Sequence, residues 1–528
     1  MPSPVPVVAP PNIVIYDCDD SFKWPERSQQ SILYHSGTDL FKRMVGLRLT
    51  HSSACTGLGT SGYAAAVNVV NINRLLAVLF DGITDDRRFE VEAVYGMECS
   101  PKSQEEILSL PDECKPRCLF ANLLDFLPPS VRRTCDAYMA NPNSKDVSEI
   151  RALILNCTPL SKAWCVACGD YCKPKTTDLH DSGTPCKDHS SINKKAMKMQ
   201  GKYAVVYYTW VLLLRVYGHR VFTHENVPNF TDAPLQQDLG DMYVMLRNQL
   251  CMSQMGEPGT RMRQFVFGAH RGSLVAPIPK PLPMILNDVD TLVRRHHFAK
   301  AHENFTFTKL LCATDEELRA EREWARNRKI VRERHANGDA WGDDPDSWLA
   351  ALSMEERARV VTYTTKWPDQ VGDLGQEPVE WPCVGKRGHL PCLSTQTLFL
   401  YSQHIRNKGW LLSKEISQAM GWPVRRTHVE SMGVENMWSL PAASVSAVRS
   451  RSSSNAALGN AVHVHVIGAV LQCQMLVFAE VAGFGHRVIQ PTVPVLLQPP
   501  LPAVLKDDDG EESRYQKARR LMRRVSSR

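Results

Sequence analysis

Short apolar segments alternate with helical segments along the first half of this chain, and most of the apolar segments end at polar residues. The pattern predicts a helix over residues 64–80 and strands over residues 91–95, 118–124, 151–155, 220–223 and 264–268. Strands that alternate with helices favour an α/β fold with a mostly parallel sheet. Ligands of such sheets bind beyond the carboxyl ends of the strands. The polar residues at those ends are therefore the candidate site residues.

At 528 residues the chain exceeds the usual size of one hydrophobic core, so we expect a second lobe inserted into the α/β domain. The alternation stops near residue 271 and returns near residue 388. The predicted parts are a partly disordered N-terminal lead (1–44), the first part of the main domain (45–271), an inserted lobe (272–387), the returning part of the main domain (388–480) and a Pro-rich, acidic and then basic tail (481–528).

Composition narrows the class of protein. A hydrophobic fraction of 43% and a charged fraction of 22% are typical of a globular protein. The N-terminus lacks the basic and apolar regions of a signal peptide, and the apolar runs are too short or too interrupted for a membrane span. We therefore expect an intracellular protein that contacts no membrane and is nuclear in a eukaryotic cell. The net charge of +6 is compatible with a polyanionic partner.

The segment CTGLGTSG, from Cys55 to Gly62, predicts a glycine turn between a strand and a helix. Gly57 and Gly59 would let the backbone approach a cofactor with its amide groups, although a simple tight turn has the same pattern. Glu98 and Asp125 end the next two predicted strands. Carboxylates at these positions suit ribose hydroxyls and an adenine amino group. Together these residues indicate an adenosyl ligand.

Cysteine, glutamate and arginine follow the later predicted strands. Cys157, in NCTPLSKA, would lie at the carboxyl end of a central strand, although a free cysteine is usually only a small buried apolar residue. Glu225, in VFTHENV, could hold a proton on a base nitrogen, unless its neighbour Asn226 merely caps a helix. Arg261 and Arg263 alternate, so both would point to one face of an extended segment. Paired guanidinium groups there suit a phosphate or a carbonyl oxygen.

Taken in order, these segments resemble the motif series of the cytosine-C5 DNA methyltransferases. NCTPLSKA is similar to the family's PCQPFS loop, HENV carries its ENV, and GTRMR is similar to its QxRxR. LLSKEISQAMGWP, with Glu415, is similar to a late motif of the family, and GNAV, with Asn460 and Val462, to its last motif. The resemblance covers about residues 45–271 and 388–475. It implies a Rossmann-like fold and leaves the inserted lobe in the place of the family's target-recognition domain.

The resemblance implies an enzyme that methylates C5 of a flipped cytosine in duplex DNA from S-adenosylmethionine. Cys157 would add to C6 of the base as the nucleophile. Glu225 would protonate or hydrogen-bond N3, Arg263 would hold O2, and Arg261 would bind a phosphate or steady the loop. The implied cofactor-binding residues are Cys55, Gly57, Gly59, Glu98, Asp125, Asn156, Asn460 and Val462.

Two alternatives remain open. An RNA cytosine methyltransferase acting on tRNA uses the same chemistry, although the CFT tripeptide of that branch is absent from the sequence. The second alternative is a catalytically degenerate relative that only binds DNA, because the residues beside Cys157 and at position 55 depart from the family. Asn156 replaces its Pro, Thr158 replaces its Gln, and Cys55 replaces its aromatic residue. The sequence does not fix the oligomeric state.

A cysteine-rich segment follows Cys157. Its CxxC spacing with nearby Cys and His is typical of zinc ligands. The members are Cys165, Cys168, Cys172 and Cys186, with His180 and His189 between and after them. The second half of the segment lacks a CxxC or HxxxH spacing, so we expect a cysteine-rich loop, with a zinc site of the four cysteines as the alternative.

Overall fold

The computed structural model describes residues 13–80, 83–190, 193, 195–272, 281–333, 352–378, 388–393, 397, 399–405, 409–434 and 461–482. Helices α1 to α15 span, in chain order, Cys18–Phe22, Trp24–Ser36, Asp39–Lys42, Thr60–Leu79, Pro101–Ser109, Pro129–Ala140, Val147–Leu155, Ala204–Tyr217, Ala233–Leu239, Leu282–His297, Asp315–Glu333, Met354–Lys366, Ser413–Ala419, Arg426–Ser431 and Val464–Ala482. Strands β1 to β14 span Val14–Ile15, Arg48–Ala54, Glu90–Met97, Cys118–Phe120, Ala163–Cys165, Asp170–Cys172, Leu179–Ser182, Val221–Asn226, Tyr243–Cys251, Met262–His270, Lys300–Ala301, Gly372–Asp373, Leu400–Ser402 and Gly409–Trp410.

Nine strands form the main sheet in the order β6-β5-β4-β3-β2-β7-β8-β10-β9. The five central strands, β4, β3, β2, β7 and β8, are parallel. An antiparallel pair extends the sheet at each end, β5 with β6 at one and β10 with β9 at the other. The predicted α/β fold with a mostly parallel sheet is confirmed. Because the central strands share one direction, the segments that follow them meet at one edge of the sheet.

Helices cover both faces of the main sheet. On one face α15 packs against α4 and α10, and Val67, Leu286 and Val470 are buried in the shared core. On the other face α7 packs against α8, where Ile154 and Trp210 are buried. The chain therefore forms three layers, helix, sheet and helix, and the carboxyl edge of the sheet stays accessible between them.

The N-terminal segment belongs to the first of these cores. Helices α1 to α3 bury Phe22, Trp24, Ile32 and Phe41 in the core that also contains α10 and α15. Their aromatic side chains supply apolar surface that an unfolded lead would leave in water. From residue 13 onward, the segment predicted as a partly disordered lead is thus folded.

A smaller antiparallel sheet of β12, β13 and β14 has its own core, which includes Val360, Tyr363, Tyr401 and Trp410. The extent of this lobe differs from the predicted 272–387. Helix α10 lies within the predicted range but buries its apolar face in the main core. Strands β13 and β14 lie beyond the range but pair with the lobe.

The strand predicted over residues 151–155 is wrong, because this segment is the end of helix α7. Its apolar run fits either a short strand or a buried helix. The start of the helix decides between them. Asp146 caps it, its side chain accepting a hydrogen bond from the backbone N of Ser148, and Glu149 lies in the first turn.

Strand β7 takes the central place that the sequence had assigned to this helix. Its sequence, LHDS, contains a single apolar residue, yet all four residues are buried. Hydrogen bonds make this burial possible: His180 bonds to the Ser52 hydroxyl at 2.8 Å, and Asp181 bonds to His51 at 2.6 Å. A strand that is buried through polar side chains gives no apolar signal in the sequence.

One helix in the described part of the chain, α4, is long and apolar enough to cross a membrane by length and composition alone. Half of its most apolar window is buried inside the protein. The helix packs against α15 and against strands β2 and β3, as a core helix of an α/β sandwich does.

Candidate active site

A cleft opens at the carboxyl edge of the main sheet, and its floor is the glycine turn after β2. Its empty space, with the open solvent at its mouth included, is about 450 Å³. Gly57 and Gly59 have φ angles of +62° and +74°, and Gly59 directly precedes helix α4. These are left-handed conformations that glycine adopts without strain. The predicted turn between a strand and a helix is confirmed.

Cys55 begins this turn and lines the cleft. It also has a positive φ, +54°, which is rare outside glycine. Burial raises the pKa of its thiol well above the ordinary value, so a neutral, compact side chain lines this part of the cleft. The family's aromatic ring at this position is absent, and small polar side chains of Ser53, Thr56 and Ser61 line the same wall.

Glu98 lies at the end of β3 and holds the turn in place. One carboxylate oxygen accepts a hydrogen bond from the Gly57 amide at 2.9 Å, and the other accepts one from the Ser100 amide at 2.8 Å. Burial raises the pKa of this carboxyl, while its backbone hydrogen bonds lower it. The structure therefore brings Glu98 and Gly57 together as the sequence predicts.

Asp125 and Asn156 are two predicted cofactor-binding residues that the structure does not place in this group. Asp125 pairs with Arg132 of α6 at 3.0 Å. Asn156 is exposed and ends helix α7, so its predicted position beside the cofactor rested on the strand that is a helix. Asn460 lies outside the described residues. Val462, two residues further on, is described, and it lines the cleft together with Ala461.

Glu225 is the last residue but one of strand β8 and contributes a carboxylate to the cleft. It forms an ion pair with Arg263 of the neighbouring strand β10, with 2.9 Å between Oε1 and Nε. Both side chains are nearly buried, at 12% and 11% exposed. A carboxylate and a guanidinium group thus sit side by side at the rim of the sheet. Together they offer one acceptor and several donors to a planar ligand edge.

Arg261, directly before strand β10, is buried and makes two backbone contacts. It donates to the carbonyl of Leu393 at 2.7 Å and to the carbonyl of Ala461 at 2.8 Å. Burial and the neighbouring Arg263 lower the pKa of Arg261 to about 10. Arg261 thus lies close enough to Arg263 for their charges to interact, and it fastens the returning chain to the cleft.

The loop after β7, with the sequence GTPCKDHS, passes beside this ion pair. Gly183 lines the cleft, and a Cβ added to it would lie 3.4 Å from Glu225 Oε2. Asn226, the neighbour of Glu225, donates to the Thr184 carbonyl at 3.2 Å. The side chain of Asn226 therefore ties the loop to the end of β8 and does not cap a helix.

Cys186 is the thiol that this loop brings to the site. The charges of Arg263 and Arg261 act on it to lower its pKa, and that of Glu225 acts to raise it. Burial is the largest effect, and the pKa of the thiol is raised overall. A partly buried thiol next to two arginines and a glutamate is placed as a cysteine nucleophile would be.

The structure places Cys157 elsewhere. It follows helix α7, its backbone N donates to the Ile154 carbonyl, and its side chain packs on the core of the opposite sheet face. Its electrostatic neighbour there is Cys135 of helix α6. Burial raises the pKa of the Cys157 thiol. The predicted position of Cys157 at the carboxyl end of a central strand is wrong, because the segment before it is helical.

The sequence did contain a signal for Cys186. The family's loop begins with Pro-Cys and ends with Ser, and Pro185, Cys186 and Ser190 match these three positions. NCTPLSKA, by contrast, has Asn156 before its cysteine. The signal was missed because the strand before it, LHDS, does not look like a buried strand, whereas the apolar run before Cys157 does.

The position of Cys186 divides the cysteine-rich segment into two parts. Cys186 lies in the cleft loop and is not a member of the cysteine group of the β5–β6 hairpin. The sulfur atoms that lie close together are those of Cys118, Cys165, Cys168 and Cys172. Three of these four were predicted together, and Cys118 of β4 replaces Cys186.

No family model and no curated protein matches the chain. Solved structures that are similar to it include a putative DNA modification methyltransferase encoded within a prophage of E. coli, with a TM-score of 0.39 and 11% identity over 80% of this chain and 98% of that one. Another is the S. pombe Dnmt2 methyltransferase, with a TM-score of 0.38 and 13% identity over 81% and 98%. A mutant of Spodoptera frugiperda DNMT2 has a TM-score of 0.36 and 12% identity over 81% and 99%. Because these structures are at most 13% identical to the chain, the function that we propose rests on the residues of the cleft.

Proposed function

We propose that this chain is a DNA cytosine-5 methyltransferase that uses Cys186, not Cys157, as its nucleophile. The observation that carries the proposal is the meeting of Cys186, Glu225 and Arg263 at one edge of the sheet, beside the glycine-turn cleft. The order of the motifs supports it as well. The Pro-Cys loop follows β7, Glu225 and Asn226 end β8, and the paired arginines lie directly before β10 and within it.

Each of the three side chains would act on a different atom of the cytosine ring. C5 of cytosine is a poor nucleophile, and addition of a thiolate to C6 makes it enamine-like. The Cys186 sulfur would form the bond to C6, and the ring electrons would move towards N3 and O2. Glu225 would donate or share a proton at N3, and Arg263 would hold O2, so that the developing charge is neutralised where it arises. After C5 gains its methyl group, loss of the C5 proton reforms the double bond and expels the Cys186 thiolate.

The cleft fits an adenosyl cofactor. Two left-handed glycines turn the backbone beside the cleft, and Glu98, which holds this turn at the end of β3, would accept hydrogen bonds from ribose hydroxyls. Val462 and Ala461 of the returning chain close the other side. S-adenosylmethionine, when bound there, would supply an electrophilic methyl group. The residues of the chain would orient it and exclude water.

A cytosine within duplex DNA must leave the helix to reach this site. The polar edge that Glu225 and Arg263 form together would receive it, since a base with a donor edge beside a carbonyl oxygen matches a carboxylate beside a guanidinium group. The smaller lobe with strands β12 to β14 would contact the duplex. The proposed partner is therefore DNA, in keeping with the resemblance to the DNA-modifying family.

Trapping on DNA that contains 5-fluorocytosine tests the proposal. Fluorine at C5 blocks the final elimination, so a covalent complex accumulates when cofactor is present. We expect wild-type protein and Cys157→Ser to form the complex and Cys186→Ser to lose it, as seen by a denaturation-resistant shift on gels. A pool of duplexes with the base in every dinucleotide context avoids a choice of target sequence.

The opposite result would reassign the nucleophile. If Cys186→Ser is trapped like wild type and Cys157→Ser is not, the sequence prediction is correct and the proposal is wrong. Trapping on fluorocytosine-containing tRNA but not on duplex DNA would transfer the same site to RNA. Absence of any trapping by wild type, together with calorimetric binding of duplex DNA, would make the chain a non-catalytic binding protein.

A further inference from the structure

Four cysteine sulfurs meet at the β6 end of the main sheet, away from the cleft. Cys165 and Cys172 belong to the β5–β6 hairpin, Cys168 lies in its turn, and Cys118 belongs to the adjacent strand β4. All four sulfurs lie within 4.8 Å of one another. They are free thiols, and the distance between the sulfurs of Cys118 and Cys168, 4.0 Å, is about twice that of a disulfide bond.

The spacing fits a tetrahedral metal ion. Zinc binds a thiolate sulfur at about 2.3 Å, and the edge of a tetrahedron with that radius is about 3.8 Å. The sulfur pair at 4.0 Å and the upper limit of 4.8 Å for the group are a slightly expanded form of this tetrahedron. An ion at the centre would need only small side-chain rotations to complete it.

The backbone around Cys165 is shaped as for a metal ligand. Its sulfur accepts hydrogen bonds from the amide groups of Leu119, at 3.3 Å, and Cys168, at 3.4 Å. Such bonds stabilise a thiolate and orient it. Gly169, directly after Cys168, has a φ of +65° and donates to the Cys165 carbonyl at 2.9 Å. A CxxC-Gly turn of this kind points both sulfurs to the same side.

We propose that Cys118, Cys165, Cys168 and Cys172 form a structural zinc site. A set of four cysteines without an open position is typical of structural and not of catalytic zinc. Three of the ligands come from CVACGDYC and the fourth from a strand more than forty residues earlier, so the ion would join two separate parts of the chain.

The need for such a cross-link is visible in the sheet. Strand β5 joins β4 through a short ladder, with Phe120 opposite Cys165 and a hydrogen bond from Val166 N to the Leu119 carbonyl. The partner strand β6 is at the sheet edge, and Tyr171 on it is exposed. A short edge hairpin of this kind has little buried apolar surface of its own. Zinc binding would supply the missing free energy, because a structural metal contributes directly to folding.

Metal content of the purified full chain tests the site. We expect about one zinc ion per chain for wild type by elemental mass spectrometry. Cys168→Ser should lose the ion, whereas Cys168→His should retain it, because three cysteines and a histidine are also a structural zinc set. Cys168 is exposed, so neither substitution disturbs the core. Cys99→Ser, at an exposed cysteine outside the group, is the matched control and should keep full zinc.

A second measurement does not depend on any variant. Cobalt substituted into wild-type protein should give the intense visible and charge-transfer absorption of a tetrahedral tetrathiolate site, and Cys168→His should change this spectrum. Release of zinc should lower the melting temperature. Metal-free wild type, or zinc that stays after Cys168→Ser, would overturn the proposal. So would a Cys165–Cys168 or Cys118–Cys168 disulfide in protein kept under reducing conditions. Fluorocytosine trapping does not enter these tests, so the two proposals fail or hold separately.

Discussion

At the scale of single residues, the site depends on which cysteine follows the central strand. Cys157 and Cys186 both follow a short segment, and both thiols are partly buried. What separates them is the charge around each: Arg261, Arg263 and Glu225 act on Cys186, whereas the side chain of Cys157 packs on a hydrophobic core. Local sequence favoured Cys157 because its neighbours are apolar, while the chemistry depends on contacts between residues far apart in the chain.

The raised pKa of Cys186 gives a pH-dependent prediction. The thiolate is the reactive form, so the rate of alkylation rises with pH as the thiol ionises. An unperturbed thiol has a pKa of about 8.5, and burial raises that of Cys186, so its half-maximal alkylation should lie at higher pH than in the unfolded chain. Arg263→Ala removes a charge that favours the thiolate and should shift the midpoint further upward.

Site-resolved mass spectrometry after brief iodoacetamide treatment, from neutral to alkaline pH, measures this. The same peptide in denatured protein is the internal reference. A native midpoint at or below that of the denatured peptide would show that the arginines outweigh burial. Arg263→Ala would then be expected to slow the labelling of Cys186 at neutral pH. The same mass-spectrometric series measures this labelling rate.

At the scale of secondary-structure elements, apolar strands were predictable and polar ones were not. The helix predicted at 64–80 is α4, and the strands predicted at 91–95 and 264–268 are β3 and β10, since each has a periodic apolar signal. Strands β2 and β7 lie at the centre of the sheet, but their sequences, RLTHSSA and LHDS, are mostly polar. Their burial depends on hydrogen bonds between the two strands, which no local pattern encodes.

The hydrogen bond between His51 and Asp181 should therefore support the centre of the sheet. The two side chains are 3% and 9% exposed. His51→Ala leaves the Asp181 carboxylate buried without this partner, and we expect the free energy of unfolding to fall by about 3 kcal/mol. Urea denaturation followed by circular dichroism measures the change.

Asp136→Ala is the matched control for this prediction. Asp136 pairs with Arg132 on the surface and is 54% exposed, so its removal should cost less than about 1 kcal/mol. Equal stability losses for the two variants would mean that the buried pair gives no more support than a surface one. Strands β2 and β7 would then be held by backbone pairing alone.

At the scale of the whole molecule, the cleft needs two distant parts of the chain. The turn after β2 and Glu225 come from the first half, while Ala461 and Val462 return from the far end before helix α15. The motif order predicted this return, because the resemblance places its last motif at GNAV. The extent of the inserted lobe was not predictable in the same way. Helix α10 packs in the main core and strand β13 pairs within the lobe, and neither contact has a local sequence pattern.

Arg261 joins these parts, so its loss should weaken cofactor binding. It is 4% exposed and donates to the carbonyls of Leu393 and Ala461. Arg261→Ala removes two charge-assisted hydrogen bonds, each worth about 1.5–3 kcal/mol, and frees the segment that closes the cleft. If the free energy of cofactor binding falls by about half the worth of one such bond, the affinity for S-adenosylmethionine falls about tenfold or less. The loss is larger if the segment moves away from the cleft.

Isothermal titration with S-adenosylhomocysteine measures this affinity without turnover. Arg220→Ala is the matched control, because Arg220 pairs with Asp178 just before strand β8, at the opposite edge of the sheet from Glu225. It should leave the affinity unchanged even if the melting temperature falls. Should Arg261→Ala bind the cofactor as wild type does while melting earlier, the arginine stabilises the fold only. In that case Ala461 and Val462 keep their place through the packing of helix α15 against α4.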